Sequence, residues 1–169
     1  MLVRLVFALL MSMHLFAQCD DVAISTKEAK HGSDVVFQGV IEGFRDAGKN
    51  RIVIFRVSRV WKGQVGPTFE MPAIETTGGL CTAFWKGQLG LGNELVVFAS
   101  RNRYLPGGGI EFLPLRQKSV LVGKSMDISA LGRGHKPKGP PFRTADIQGG
   151  YPPCGFEARG MQDSSCIVL

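Results

Sequence analysis

Two long runs of β-forming residues follow one another in the sequence and constrain the fold more than any other feature. They cover residues 34–44 and 51–61. The segment between them contains three turn formers: Asp46, Gly48 and Asn50. In the second run, the apolar alternation breaks at Ser58 and Arg59 before it resumes at Val60. One extra residue in a long strand is typical of a β-bulge, and the bent strand that results favours a small closed barrel.

Three shorter strand candidates, at residues 68–74, 94–100 and 110–115, complete a set of five. A β-sandwich needs about seven strands, which is more than this sequence offers. The chain of 169 residues contains 22 Gly and 9 Pro, and both residue types are costly inside helices, so a helical bundle is disfavoured. The sequence therefore predicts a mainly β fold, a five-stranded Greek-key barrel of the oligonucleotide/oligosaccharide-binding (OB) type.

Two short helices are predicted to flank this barrel. Ser25 and Glu28 have the spacing of a capping box, in which each side chain binds a free backbone N–H of the first helical turn. This spacing predicts a helix over residues 25–30 that ends at Gly32. A second short helix is predicted at residues 127–131.

The first 17 residues have the layout of a secretory signal peptide. Arg4 precedes an apolar run that a small residue, Ala17, closes. The run is shorter than the roughly 20 residues of a membrane-spanning helix. We therefore expect a secreted, extracellular or periplasmic protein without a transmembrane span after cleavage. A buried N-terminal helix and a lipoprotein anchored at Cys19 are the alternatives.

The rest of the chain divides into three parts. The barrel is predicted to cover residues 18–125, and residues 126–148 combine the short helix with an extended, solvated linker rich in Gly, Pro and basic residues. The C-terminal tail, residues 149–169, contains Cys154 and Cys166. A local disulfide between these two would close a loop of about a dozen residues and contribute about 3 kcal/mol. Export favours pairing of all four cysteines.

An enzyme is not predicted. The HExxH, GxSxG and phosphate-loop patterns are missing from the sequence, and so is CxxC, which disfavours an intrinsic metal site. A nucleophilic pair of Cys19 with His31 remains an alternative, but a bridged cysteine is not a nucleophile. His14 leaves with the signal peptide and His135 lies in the basic linker, while a solvated position is expected for His31. We expect no cofactor.

The basic linker fits nucleic acid, acidic glycans or anionic lipid, with a solubilising role as the simpler reading. Few aromatic residues lie near it for base stacking, and exported proteins seldom meet nucleic acid, so no nucleic-acid partner is expected. The two aromatic-Lys-Gly motifs, at residues 61–63 and 84–87, are candidates for a ligand face. A core aromatic followed by a turn is the favoured reading of both motifs.

Residues 33–39 and 57–63 together resemble the netrin-type (NTR) module of the tissue inhibitors of metalloproteinases (TIMP). The matching segments read SDVVFQG and VSRVWKG. Cys19 precedes Asp34 by 15 residues, which is the spacing expected from the family, and Cys81 follows where that family places its next cysteine. The resemblance extends over about residues 19–115, and its fold is the same OB-type barrel.

The resemblance implies a Cys19–Cys81 disulfide and a binding edge made by Cys19, Asp20, Gly79 and Leu80. In the inhibitors, the α-amino group and carbonyl of the first cysteine coordinate the catalytic zinc of a metalloproteinase. The implied function is that of a non-enzymatic inhibitor-like module that binds a metalloproteinase or another extracytoplasmic protein. A structural or ligand-binding barrel without inhibitory activity is the alternative.

This sequence departs from the family pattern at several positions. Asp21 and His31 stand where the family has two further cysteines. Asp20 replaces a small hydroxyl residue that enters the protease's specificity pocket, and burial of a carboxylate there is costly. Cleavage after Ala17 leaves Gln18 in front of Cys19, which moves the free amine away from the zinc-binding position.

Overall fold

The computed structural model describes residues 24–48, 50–77, 82–102, 111–115, 118–122 and 128–144. It contains one α-helix, eight strands and one 3-10 helix within those ranges. In chain order these are α1 (Thr26–Gly32), β1 (Val35–Ala47), β2 (Asn50–Lys62), β3 (Thr68–Pro72), β4 (Glu75–Thr76), β5 (Phe84–Trp85), β6 (Glu94–Asn102), β7 (Glu111–Pro114), β8 (Val120–Leu121) and the 3-10 helix (Ile128–Leu131). The predicted mainly β class is confirmed.

Helix α1 begins at the predicted capping box. Ser25 is the N-cap, and its hydroxyl accepts from the N–H of Glu28 at 3.2 Å. The Glu28 carboxylate in turn accepts from the backbone N–H of Ser25 at 2.8 Å. Each side chain thus binds an N–H that lacks an intrahelical partner, which is why so short a helix starts here.

Strands β1 and β2 form the long antiparallel hairpin that the sequence predicts. Their register shifts by one residue at Ser58, because Gln38 lies opposite Arg59 and Gly39 lies opposite Val57. This confirms the predicted bulge. Two further shifts leave Trp61 in β2 and Glu42 in β1 without a directly opposed residue. Three bulges in one hairpin give both strands a strong bend.

The main sheet is antiparallel and has the order β3-β2-β1-β6-β7. Strand β8 pairs with residues 95–96 of β6, on the edge that faces away from β1. The five principal strands of the sheet correspond to the five predicted ones. The sequence analysis missed three two-residue strands, β4, β5 and β8. Hydrogen bonds join neighbouring strands along this order, and no ladder between β3 and β7 closes a barrel within the described residues.

The sheet curves around an apolar interior that is rich in phenylalanine. Phe69 of β3 contacts Phe37 of β1 and Phe112 of β7, with ring centroids 4.9 and 5.2 Å away. Strands at the two ends of the sheet order therefore meet through their side chains. A second cluster covers the opposite face of the sheet under α1 and the 3-10 helix. Its buried members are Ala29, Val36, Trp61, Val96, Phe98 and Leu131.

The segment after the 3-10 helix is extended and largely exposed, as predicted, but its backbone is hydrogen-bonded to the sheet. His135 pairs with Val60 of β2 in an antiparallel bridge, and Phe142 pairs with Phe69 of β3 in a parallel one. Gly66 makes this docking possible, because a Cβ atom there would lie 2.1 Å from the carbonyl oxygen of Pro140. Residues 131–144 are thus part of the folded unit and not a free linker.

Candidate functional site

The residues singled out from the sequence lie outside the described residues. They are the four cysteines and three of their neighbours: Cys19, Cys81, Cys154, Cys166, Asp20, Gly79 and Leu80. Residues 1–17 and 149–169 also lie outside. The structure does describe the two segments from which the predicted binding edge extends, namely α1 with its N-cap and the strands on both sides of residues 77–83.

Strands β4 and β5 hold the two ends of the segment that contains Gly79, Leu80 and Cys81. They pair in parallel, with Glu75 opposite Phe84 and Thr76 opposite Trp85. The Glu75 carboxylate also accepts from the backbone N–H groups of Gly87 and Leu89, at 3.0 and 3.1 Å. The Glu75 side chain therefore connects β4, which precedes this segment, to the turn that follows β5. We call residues 77–83 the clasped loop.

Gln88 fixes this clasp to the rest of the fold. The Gln88 side chain is buried, its oxygen accepts from the N–H of Trp85 at 2.9 Å, and its amide donates to the carbonyl of Ser119 at 3.0 Å. Ser119 is itself fully buried, and its hydroxyl binds both the N–H and the carbonyl of Phe98 in β6. The base of the clasped loop is thus tied to β6 through the turn that contains Ser119.

The first turn of α1 approaches the same turn from the other side. Lys118, next to Ser119, attracts the carboxylate of Glu28 electrostatically. Ile24, the first described residue, packs on the second apolar cluster, as does Leu115. Leu115 thus shares an apolar cluster with Ile24, and Lys118 and Ser119 connect the first turn of α1 to the base of the clasped loop.

The pKa of Glu28 is lowered from its ordinary value of 4.5. The main cause is the hydrogen bond from the Ser25 hydroxyl to the carboxylate, followed by the bond from the Ser25 backbone N–H, with a smaller contribution from Lys118. All three favour the charged form of the carboxylate.

Acid is accordingly expected to loosen the first turn of α1. Because the folded-state pKa of Glu28 lies below the unfolded one, its stabilising effect is full above the unfolded pKa and is lost as the pH falls through the folded pKa. A carboxyl NMR titration of Glu28 should give a midpoint below 4.5. In the Ser25→Ala variant the midpoint should rise towards the ordinary value. An unchanged midpoint in that variant would show that the capping box does not set this pKa.

A second polar cluster, which was not predicted, lies under residues 142–144. Glu70 of β3 is buried, and its Oε2 accepts from Nε and Nη2 of Arg45 at 2.9 and 2.7 Å. Arg45 Nη2 also donates to the carbonyl of Thr144, whose N–H donates to Glu70 Oε2 at 3.2 Å. Every contact joins residues that are distant in the sequence. The cluster therefore stabilises the packing of residues 142–144 on β1 and β3.

The two aromatic-Lys-Gly motifs have the structural role that the sequence favoured. Trp61 and Phe84 are buried and Trp85 is half-buried, and Gly63 and Gly87 have φ angles of 80° and 84°, which few residues other than glycine adopt. Lys62 donates its ammonium hydrogens to the last carbonyls of α1, those of Lys30 and His31. His31 is exposed, as predicted.

Two kinds of feature, a metal-binding cluster and a membrane-spanning helix, are missing from the described part of the chain. It contains no group of three or more His, Cys, Asp or Glu side chains arranged to hold a metal ion. Of its helices, none has both the length and the apolar character that crossing a bilayer requires. In comparisons with known proteins, no family model, no curated protein and no solved structure matches the chain.

Proposed function

We propose that the chain is a secreted, non-enzymatic OB-type barrel related to the NTR module of the TIMP family. Its Cys19 segment and clasped loop together form the binding edge for a metalloproteinase or another extracytoplasmic protein. A Cys19–Cys81 disulfide joins the two parts of this edge. The proposal combines the sequence resemblance with the positions of the segments that precede and follow these residues.

The strand order supports the barrel. An OB-type barrel has the order β3-β2-β1-β6-β7 found here and is completed when its two end strands meet. Phe69 and Phe112 already bring β3 and β7 together, and the ring of Phe142 packs against both, 4.8 and 5.0 Å away. Residues 142–144 lie along β3, because the N–H of Glu70 donates to the carbonyl of Phe142. We infer that this segment fills the seam between the end strands.

The observation that supports the binding edge is that Ser119 binds Gln88 at the base of the clasped loop, while the neighbouring Lys118 attracts Glu28 in the first turn of α1. Cys19 precedes Ile24 by five residues and reaches at most about 17 Å from it, while Cys81 precedes Phe84 by three and reaches about 10 Å. A disulfide needs a Cα–Cα distance of about 5.5 Å. Glu28 and Gln88 interact with the adjacent residues Lys118 and Ser119, so we infer that these lengths of chain allow the two cysteines to meet.

The clasp also suits the recognition of a protein surface. Glu75 and Gln88 hold the ends of the clasped loop through backbone and side-chain hydrogen bonds. Fixing the ends of a loop before binding reduces the conformational entropy that is lost when a partner docks. If Cys19 is the first residue of the mature chain, its uncharged α-amine and carbonyl become available to the zinc of the partner protease.

Disulfide mapping and an inhibition assay test the two parts of the proposal separately. Mass spectrometry of unreduced proteolytic peptides should find Cys19 joined to Cys81. Free thiols at both positions would overturn the bridge. For inhibition, protein that starts at Cys19 should reduce the activity of zinc metalloproteinases, and protein that starts at Gln18 is the matched control. Equal failure of both forms across a panel of proteases would overturn inhibition and leave only the fold.

The alternative is a structural or ligand-binding extracytoplasmic barrel, or a lipoprotein anchored at Cys19, without inhibitory activity. Asp20 favours it, because a carboxylate beside the first cysteine is costly to bury in a protease pocket. The mass of the mature N-terminal peptide distinguishes a chain that starts at Cys19, a chain that starts at Gln18 and a chain with a lipid on Cys19. A chain that starts at Gln18 lacks the amine required for zinc binding, whereas a lipid-modified Cys19 identifies the anchored form.

A further inference from the structure

Positive charge is concentrated in two segments that lie side by side. Strand β2 and residues 131–144 together contain eight of the 20 Lys and Arg residues of the chain and none of its 14 Asp and Glu residues. The rest of the chain therefore has a formal net charge of −2. The bridge between Val60 and His135 places these two segments next to each other. The net charge of +6 thus comes from β2 and residues 131–144.

Six of these eight cations form no ion pair with a carboxylate of the described residues, and one of the six, Arg51, lies over the Phe44 ring at 4.1 Å. Arg56 pairs with Glu42, Arg143 lies 4.0 Å from Glu70, and Lys62 binds carbonyls of α1. In contrast, no carboxylate among the described residues forms an ion pair with the members of a set that we call the basic patch. Its members are Arg59, Arg133, Lys136 and Lys138, all exposed.

Backbone contacts hold the patch in a fixed arrangement. Val60 and His135 exchange hydrogen bonds of 2.8 and 2.9 Å, and the indole N–H of Trp61 donates to the carbonyl of Gly132 at 3.0 Å. The N–H of Lys138 donates to the carbonyl of Val65 at 3.0 Å. Binding to this patch therefore orders only side chains, since the backbone beneath them is already in place.

The Arg59 side chain of β2 packs against the backbone of residues 131–144. Its side-chain carbons lie against Gly134, where a Cβ atom would be 2.6 Å from Cγ. Its guanidinium group lies 5.9 Å from the centre of the Trp61 ring. The Arg59 side chain of β2 thus lies against the backbone next to Arg133.

We propose that the basic patch is a binding site for an anionic polysaccharide, such as a sulfated or uronic-acid-rich chain. A polymer with regularly spaced negative charges gains from a row of fixed, unpaired cations, because binding releases the counterions condensed on it. A membrane surface fits less well, since binding to lipid also uses exposed apolar side chains. The exposed large apolar side chains of the described residues are Leu91 and Val122, and neither belongs to the patch. This site is separate from the proposed Cys19 edge.

The experiment measures binding to heparin as a sulfated polysaccharide, with neutral dextran as the uncharged control, over a range of salt concentrations. The variant Arg133→Gln/Lys136→Gln/Lys138→Gln removes three patch cations. The matched control Lys27→Gln/Lys86→Gln/Lys118→Gln removes three cations elsewhere on the chain. Thermal unfolding of all three proteins shows whether each variant is folded.

We expect wild type and the control variant to bind heparin, and the patch variant to bind at least about tenfold more weakly in 0.15 M salt. The slope of log affinity against log salt should fall by roughly two to three in the patch variant. Equal affinities of the patch and control variants would overturn the proposal. So would binding to vesicles of phosphatidylglycerol without binding to heparin, which would assign the patch to a membrane surface.

Discussion

Replacing Phe69 with alanine is expected to lower the free energy of unfolding by about 4 kcal/mol. The ring is 1% exposed and contacts the rings of Phe37, Phe112 and Phe142. Its loss removes buried apolar surface and leaves a cavity where β3, β1 and β7 meet. Urea denaturation followed by circular dichroism measures the change.

Phe142→Ala is the matched control, because the same atoms are removed from a ring that is only partly buried. We expect a loss of about 2 kcal/mol in this variant. A Phe69→Ala loss below about 1 kcal/mol would contradict the packing described for the interior. Equal losses in the two variants would show that the Phe142 ring stabilises the fold as much as the Phe69 ring at the centre of the core.

Replacing Glu70 with glutamine is expected to lower the free energy of unfolding by about 3 kcal/mol. Arg45 keeps its charge in this variant but loses the carboxylate that binds it, in a site where the two side chains are only 18% and 10% exposed. Removing a carboxylate partner from a charge held away from water is costly. Denaturant titration at neutral pH measures this effect.

Glu42→Gln is the control for Glu70→Gln. Glu42 binds Arg56 at 2.6 Å, but these two side chains are 45% and 61% exposed, so water replaces the pair at little cost. We expect a loss below about 1 kcal/mol. The double variant Arg45→Met/Glu70→Leu should recover much of the stability lost in Glu70→Gln, because it removes both charges. Similar losses in Glu70→Gln and Glu42→Gln would show that burial does not strengthen the Glu70 pair.

The features predicted correctly from the sequence are those set by residues close together in the chain. The capping box depends on Ser25 and Glu28 alone, and the bulge at Ser58 appears as a break in a local alternation. The five principal strands are long enough, or apolar enough, to give a pattern. By contrast, β4, β5 and β8 have two residues each, which is too short for any periodicity to appear.

The docking of residues 131–144 was not predictable from composition. The segment is rich in Gly, Pro and cations, which is typical of a linker, and its contacts with β2 and β3 are mostly between backbone groups that every residue possesses. The polar contacts of Glu70 with Arg45 and Thr144 join residues far apart in sequence, so no spacing indicates them. The same holds for Gln88 and Ser119, which connect the turn after β5 to β6.

The docked segment also changes where the folded unit ends. A fragment cut at the sequence-predicted barrel boundary, residue 125, lacks the chain that covers one side of β3. The backbone groups of Glu70 and neighbouring residues would then be open to pairing with another molecule, as at any uncovered sheet edge. Residue 144 is accordingly the earliest C-terminal boundary for a fragment intended to remain monomeric.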